Sequence, residues 1–119
     1  MTHGYMLQLW RKAVRIKKGE RCCNPECGNM ASGCHHLIKV RYRTTAYRAE
    51  NGIPLCAICH PIADRSPQFA LGMISEIDYN FIKQRSIYNL QEWLTINHMS
   101  REEFLKSEAD ELKRIIKGE

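Results

Sequence analysis

Six cysteines fall within residues 22–59, as Cys22-Cys23, Cys27, Cys34, Cys56 and Cys59, and no other feature restricts the fold as strongly. Residues 21–60 also hold three histidines, Gly28, Gly33, Gly52 and two prolines, which leaves too few large apolar side chains for a core of their own. Such a segment needs a cross-link, and the choice lies between disulfides and a metal ion. The apolar residues Met6, Leu7, Leu9 and Trp10 precede the cations Arg11, Lys12 and Arg15. That is the reverse of a secretory leader, so the chain reads as cytoplasmic and its thiols as reduced. Cys56-x2-Cys59 is a standard zinc half-site, and Cys22-x4-Cys27, across Asn24-Pro25, supplies a second; four thiolates close a tetrahedral structural Zn²⁺ site. Cys23-x3-Cys27 is the alternative spacing. Cys34 either replaces one member or serves as a small buried hydrophobe.

Periodicity frames this segment with helices. Apolar residues at three-to-four spacing over 5–18 (Tyr5, Leu9, Ala13 and Ile16, with Met6, Trp10 and Val14 beside them) predict a helix stopped by Gly19. The alternating Ile38, Val40 and Tyr42 predict a strand over 37–42, and 53–55 a second one after Asn51-Gly52. A helix is expected from about 57 to 65, ended by Ser66-Pro67. The remainder reads as helical, interrupted near 84–86, with Ser100 and Glu103 as a capping box for a last helix. The expected class is α+β, a single domain of three parts: a basic N-terminal helix (1–20), a metal-bound core (21–66) and a helical extension (67–119). The longest run free of Asp, Glu, Lys and Arg is thirteen residues, 51–63, and it contains Pro54 and His60, so no membrane span is expected.

Between the half-sites stand Cys34-His35-His36-Leu37-Ile38, then Asn51-Gly52-Ile53-Pro54-Leu55-Cys56, then Cys59-His60. In order and spacing, residues 22–65 resemble the HNH endonuclease family. Its pattern is a knuckle cysteine pair, a His-His or Asp-His pair opening a strand, an Asn before a second strand, and Leu-Cys-x2-Cys-His opening a helix. The resemblance implies a ββα-metal finger and a metal-dependent DNA endonuclease leaving 5′-phosphate and 3′-hydroxyl ends. By analogy it also suggests phage or prophage DNA processing. Carried over by position, it implies His35 and His60 as ligands of a catalytic divalent ion and His36 as the general base. Asn51 then fixes the loop bearing that base by hydrogen-bonding backbone across the hairpin. His35 stands where many relatives have Asp, and imidazole suits Mn²⁺, Ni²⁺ or Zn²⁺ better than Mg²⁺.

The residues carry part of this reading without the family. Hydrolysis of a phosphodiester needs a nucleophile made from water and neutralisation of the phosphoryl charge. Neighbours on a strand point to opposite faces, so His35 and His36 cannot both serve one ion. Asp64, four residues after His60, shares its helix face and extends the ligand set. His3 and His98 read as surface or hydrogen-bonded residues.

Charge is unevenly placed. Residues 1–65 hold eleven Lys/Arg against four Asp/Glu, net +7, and residues 66–119 are net −2. Lys39, Arg41 and Arg43 would project from one strand face as a basic ridge, with Arg48 in the following loop and Arg65 on the helix beside the site. All five are candidate contacts to duplex or branched DNA. The competing reading is a zinc-stabilised nucleic-acid-binding module without catalysis. A third reading is an interaction protein whose acidic helical tail binds a partner or makes a homodimer; as a nuclease, a monomer would nick first, whereas a two-fold pair could cut both strands.

Overall fold

The structure, a computed structural model, describes residues 1–119. Helix α1 (His3–Lys18) starts at Thr2, whose hydroxyl accepts from the Tyr5 N–H, and ends at Gly19, where φ is 99°. That value lies in the region glycine enters without steric cost. Its buried stripe is Met6, Trp10, Ala13 and Val14, whereas Tyr5 and Ile16 stay exposed.

Two short strands, β1 (Gly33–His36) and β2 (Gly52–Leu55), form an antiparallel pair that sets His35 opposite Ile53 and His36 opposite Gly52. The first strand thus lies before the one expected over 37–42. Past His36 the chain leaves the ladder because other partners take its backbone. The Ile38 N–H donates to the Asn51 side chain, and Tyr42 and Thr45 close turns onto the carbonyls of Lys39 and Tyr42. Tyr42 is consequently exposed, and the predicted ridge of Lys39, Arg41 and Arg43 on one strand face does not exist.

Helix α2 (Cys59–Arg65) follows β2 after the three residues Cys56, Ala57 and Ile58 and packs against β1. Pro67, which ends α2, opens a further short helix, α3 (Pro67–Leu71), that the sequence reading lacked; proline is well suited to a first helical position. The extension then forms α4 (Glu76–Ser86), α5 (Leu90–Ile96) and α6 (Arg101–Ile116). The break falls at 87–89, just past the expected 84–86, and Asn89 and Glu92 form a capping box there. Ser100 and Glu103 form the expected box at the start of α6.

The molecule is a mixed α+β arrangement of helices around one small sheet, and no helix is long and apolar enough to cross a membrane. Two apolar clusters hold it. In one, Met6, Trp10, Ala13 and Val14 of α1 meet Ala109 and Leu112 of α6 and Ala46, Tyr47 and Ala49 of the long loop between the strands. In the other, Ile53, Leu55, Ala63 and Ala70 surround three of the cysteines. A knot of charge fastens the extension to the same loop. Glu108 of α6, almost fully buried, accepts from Arg48 at 3.1 Å and from Arg85 of α4 at 2.9 Å, and Arg48 also reaches Glu50 at 3.0 Å.

Candidate active site

Cys22, Cys27, Cys56 and Cys59 place their Sγ atoms within 4.8 Å of one another, with no disulfide among them. Cys27 and Cys56 are 3.6 Å apart, close to the ~3.8 Å edge of a tetrahedron with Zn–S bonds of ~2.3 Å. The local sequence builds this knuckle. Asn24 Oδ1 accepts from the Glu26 N–H, Gly28 takes φ 67°, and the Cys22 N–H returns to the Asn29 carbonyl at 2.8 Å. Amide donors then point at sulfur: Asn24 Nδ2 at Cys59 Sγ and the Cys59 N–H at Cys56 Sγ, both at 3.4 Å. The Cys59 N–H, helped by that of Ile58, holds the Cys56 thiol below its usual range, while burial and the neighbouring sulfurs push Cys27 and Cys59 up, so the group as a whole needs a cation to ionise together. These four residues could hold a structural metal such as zinc. Cys23 is outside the group, its N–H donating to the Pro54 carbonyl, and Cys34 packs against α1 with Sγ 3.9 Å from the Arg11 carbonyl.

A second cluster lies on the other side of the hairpin. His35 Nδ1 is 3.2 Å and His60 Nε2 3.8 Å from the same Asp64 oxygen, and the two imidazoles meet edge to face. The strand supplies His35, and one turn of α2 supplies His60 and Asp64 on a common face. The helix packs on the strand so that His60 lies over Gly33, where a Cβ would make an ordinary van der Waals contact at 3.6 Å from His60 Nδ1. Burial depresses the His35 imidazole below its usual range, with Asp64 pulling it back, so it is neutral at pH 7, the form that ligates. The Asp64 side chain is 61% exposed, which leaves one side of the cluster open to water. The three side chains form a set that a divalent ion would fit, with positions left for solvent or substrate.

His36 points the other way, as strand alternation requires. Its ring lies on the Trp10 indole with centroids 3.7 Å apart and planes 8° apart, and Nε2 is 2.9 Å from the Ala46 carbonyl. A carbonyl only accepts, so Nε2 carries the proton and Nδ1 keeps its lone pair. Burial lowers this imidazole to about 4, despite the Ala46 carbonyl, leaving it uncharged at neutral pH.

Asn51 is fully buried at the end of the long loop. Its amide N–H₂ donates to the carbonyls of Ile38 and Thr45 at 3.0 and 3.1 Å, and its oxygen accepts from the Ile38 N–H at 2.8 Å. The side chain thus pins the loop that carries Ala46, the partner of His36.

A cavity of about 440 Å³ is lined by His35, His36, His60 and Asp64, with Lys39 and Arg41 at its rim. The five cations expected to contact DNA, three on a strand ridge, Arg48 in the loop and Arg65 on the helix, fall in different surroundings in the structure. Lys39 and Arg41 are exposed beside the cavity, and Arg41 lies over the Tyr42 ring. Arg43 turns back to the Val40 carbonyl, Arg65 is exposed at the end of α2 and is not among the residues lining the cavity, and Arg48 is bound in the charge knot with Glu108 and Glu50. Arg48 is therefore a structural residue, because its guanidinium is consumed internally. His3 bonds Tyr47 and His98 closes α5 at φ 51°, so neither belongs to the site. The residue that sequence reasoning missed is Trp10, whose helical spacing marks only a core position. Comparison with protein-family models, curated proteins and solved structures gave no significant match.

Proposed function

We propose that this protein is a metal-dependent DNA endonuclease of the HNH type, in which His36 is the general base. The observation that carries the reading is one cavity that joins His36 to the His35, His60 and Asp64 cluster and has Lys39 and Arg41 at its rim. His35, His60 and Asp64 would hold a divalent ion, which supplies charge neutralisation at the phosphoryl oxygens and the departing alkoxide. His36, with its proton on Nε2 and no protein partner on Nδ1, takes a proton from the attacking water at Nδ1. Asn51 holds the loop so that the Ala46 carbonyl keeps this tautomer in place. Lys39 and Arg41 position the sugar-phosphate backbone without reading bases, so cleavage has weak sequence preference. The cysteine-bound ion is zinc and structural. The two-His donor set favours Mn²⁺, Ni²⁺ or Zn²⁺ over Mg²⁺ at the second cluster.

The test is supercoiled plasmid incubated with protein carrying only its structural zinc, with Mg²⁺, Mn²⁺, Ni²⁺ or Zn²⁺ added back separately. Wild type converts the plasmid to nicked or linear forms with at least one of them. His36→Ala lowers the rate by roughly 10²–10⁴, the usual worth of a positioned base, with zinc content and circular dichroism unchanged. DNA binding without cleavage under every metal would replace this reading with a non-catalytic zinc-stabilised binding module.

A further inference from the structure

We infer that Trp10 is a positioning residue for the proposed base: the N-terminal helix completes the site by clamping the His36 ring in a single orientation. The inference rests on the endonuclease reading for its catalytic consequence, but its geometry is independent of it.

Four contacts converge on this point. The indole covers one whole face of the imidazole, with centroids 3.7 Å apart and planes within 8°. Trp10 Nε1 donates to the Arg48 carbonyl at 2.9 Å, which fixes the indole against the loop that also presents the Ala46 carbonyl to His36 Nε2. The strand partner of His36 is Gly52, and a Cβ at Gly52 would come within 2.6 Å of both Trp10 Cζ2 and Val14 Cγ2. Trp10 thus lies directly over the His36–Gly52 pair, in space that only glycine leaves free. Finally, Trp10 is 1% exposed in the core cluster that α1 forms with Ala46, Tyr47 and Ala49 of the loop and Ala109 and Leu112 of α6, so it cannot swing away without opening that core.

The imidazole can turn about its Cβ–Cγ bond, and with a single hydrogen bond to a carbonyl it could rock out of plane. A flat aromatic surface in van der Waals contact removes that freedom and leaves Nδ1 with one direction. Reaction geometry is sensitive to such freedom: a misplacement of about 1 Å can cost on the order of 10²-fold in rate. Leucine fills much of the same volume without a flat face, whereas phenylalanine keeps the face and loses the indole N–H.

The experiment compares Trp10→Leu and Trp10→Phe with wild type in two measurements on zinc-containing protein. The first is long-range ¹H–¹⁵N NMR of the histidine rings. Wild-type His36 shows a single Nε2–H tautomer with ring protons shifted upfield by the indole; Trp10→Leu loses the upfield shift and gives mixed tautomers. The second is plasmid cleavage with the most active metal. Trp10→Leu lowers kcat by roughly tenfold to a hundredfold with KM unchanged, while Trp10→Phe stays within about threefold of wild type. The inference is overturned if wild-type His36 lacks the upfield shift, a result that needs no variant and stands even if Trp10→Leu does not fold. It is also overturned if folded Trp10→Leu keeps wild-type kcat, or raises KM alone. Equal losses in both variants overturn the stack as the cause and leave the indole N–H bond instead. Absence of cleavage in wild type, with the NMR signature present, sinks the endonuclease reading and leaves the clamp standing.

Discussion

At the scale of single residues, His36 and Gly52 show how much rests on one strand pair. Burial against Trp10 holds the folded His36 near 4, whereas an unfolded chain titrates near 6.5, so between those values the unfolded state binds the extra proton. Stability is therefore intact above about pH 6.5 and is lost as pH falls toward 4, by about 2 kcal/mol between pH 7 and pH 5 from this group. His36→Gln, which keeps an N–H for the Ala46 carbonyl and cannot titrate, should lose that share of the slope in urea unfolding at the two pH values. Gly52→Ala tests the other half of the pair. Its Cβ, 2.6 Å from two side chains of α1, must push the helix away, and a cost of about 1–3 kcal/mol in the urea midpoint is expected. The backbone-pinning role of Asn51 was implied only by the family resemblance, and its partners lie six and thirteen residues away in the same hairpin. Trp10 was not legible, because an apolar stripe announces burial without naming the partner, and His36 is 26 positions distant.

At the scale of elements, the long loop between the strands behaves as a packed layer. Its Ala46, Tyr47 and Ala49 are core, and Arg48 is tied through Glu108 to α6 and, through the same carboxylate, to Arg85 of α4. Both guanidiniums also lie against aromatic rings, Arg48 over Phe81 and Arg85 over Trp93. The cations of this region should accordingly divide into two groups. On the endonuclease proposal, Lys39→Ala and Arg41→Ala should each weaken DNA binding and reduce the slope of log K against log salt by about one, with little change in thermal stability. Arg48→Met leaves that slope alone and destabilises the protein by roughly 3–5 kcal/mol, because Glu108 and Glu50 lose a buried partner. Fluorescence anisotropy across a salt series and thermal melts separate the two. Spacing alone made these cations equivalent. What distinguishes them is a glutamate 60 residues downstream, which no local pattern reveals. The displaced first strand has the same origin: alternation at 38, 40 and 42 was genuine, but Asn51 competes for the backbone that a ladder would have used.

At the scale of the whole molecule, uneven charge is partly settled by internal pairing. Asp78 and Glu108 of the acidic extension meet Lys17, Lys18 and Arg48 of the basic half, and Glu108 also meets Arg85 within the extension. The capping box at Ser100, the helical extension and the four-cysteine cluster were legible because each is written in local spacing, whereas the box at Asn89 and Glu92 was not anticipated. The choice of Cys22 over Cys23 was not legible, since the two differ only in which way one residue faces. Cys22→Ser should lose most of its zinc and unfold at a much lower temperature, whereas Cys23→Ser should keep one zinc per chain by metal analysis, with a melting temperature near wild type. Cys59 and His60 are consecutive residues in the first turn of α2, one sulfur facing the thiolate group and one ring facing Asp64. The two candidate ion sites thus share a hinge only one peptide bond long. A chelator strong enough to strip sulfur-held zinc would also dismantle the neighbouring imidazole pair, so demetallation should proceed as two ordered events, with the oxygen- and nitrogen-rich pocket emptied reversibly before the knuckle is lost.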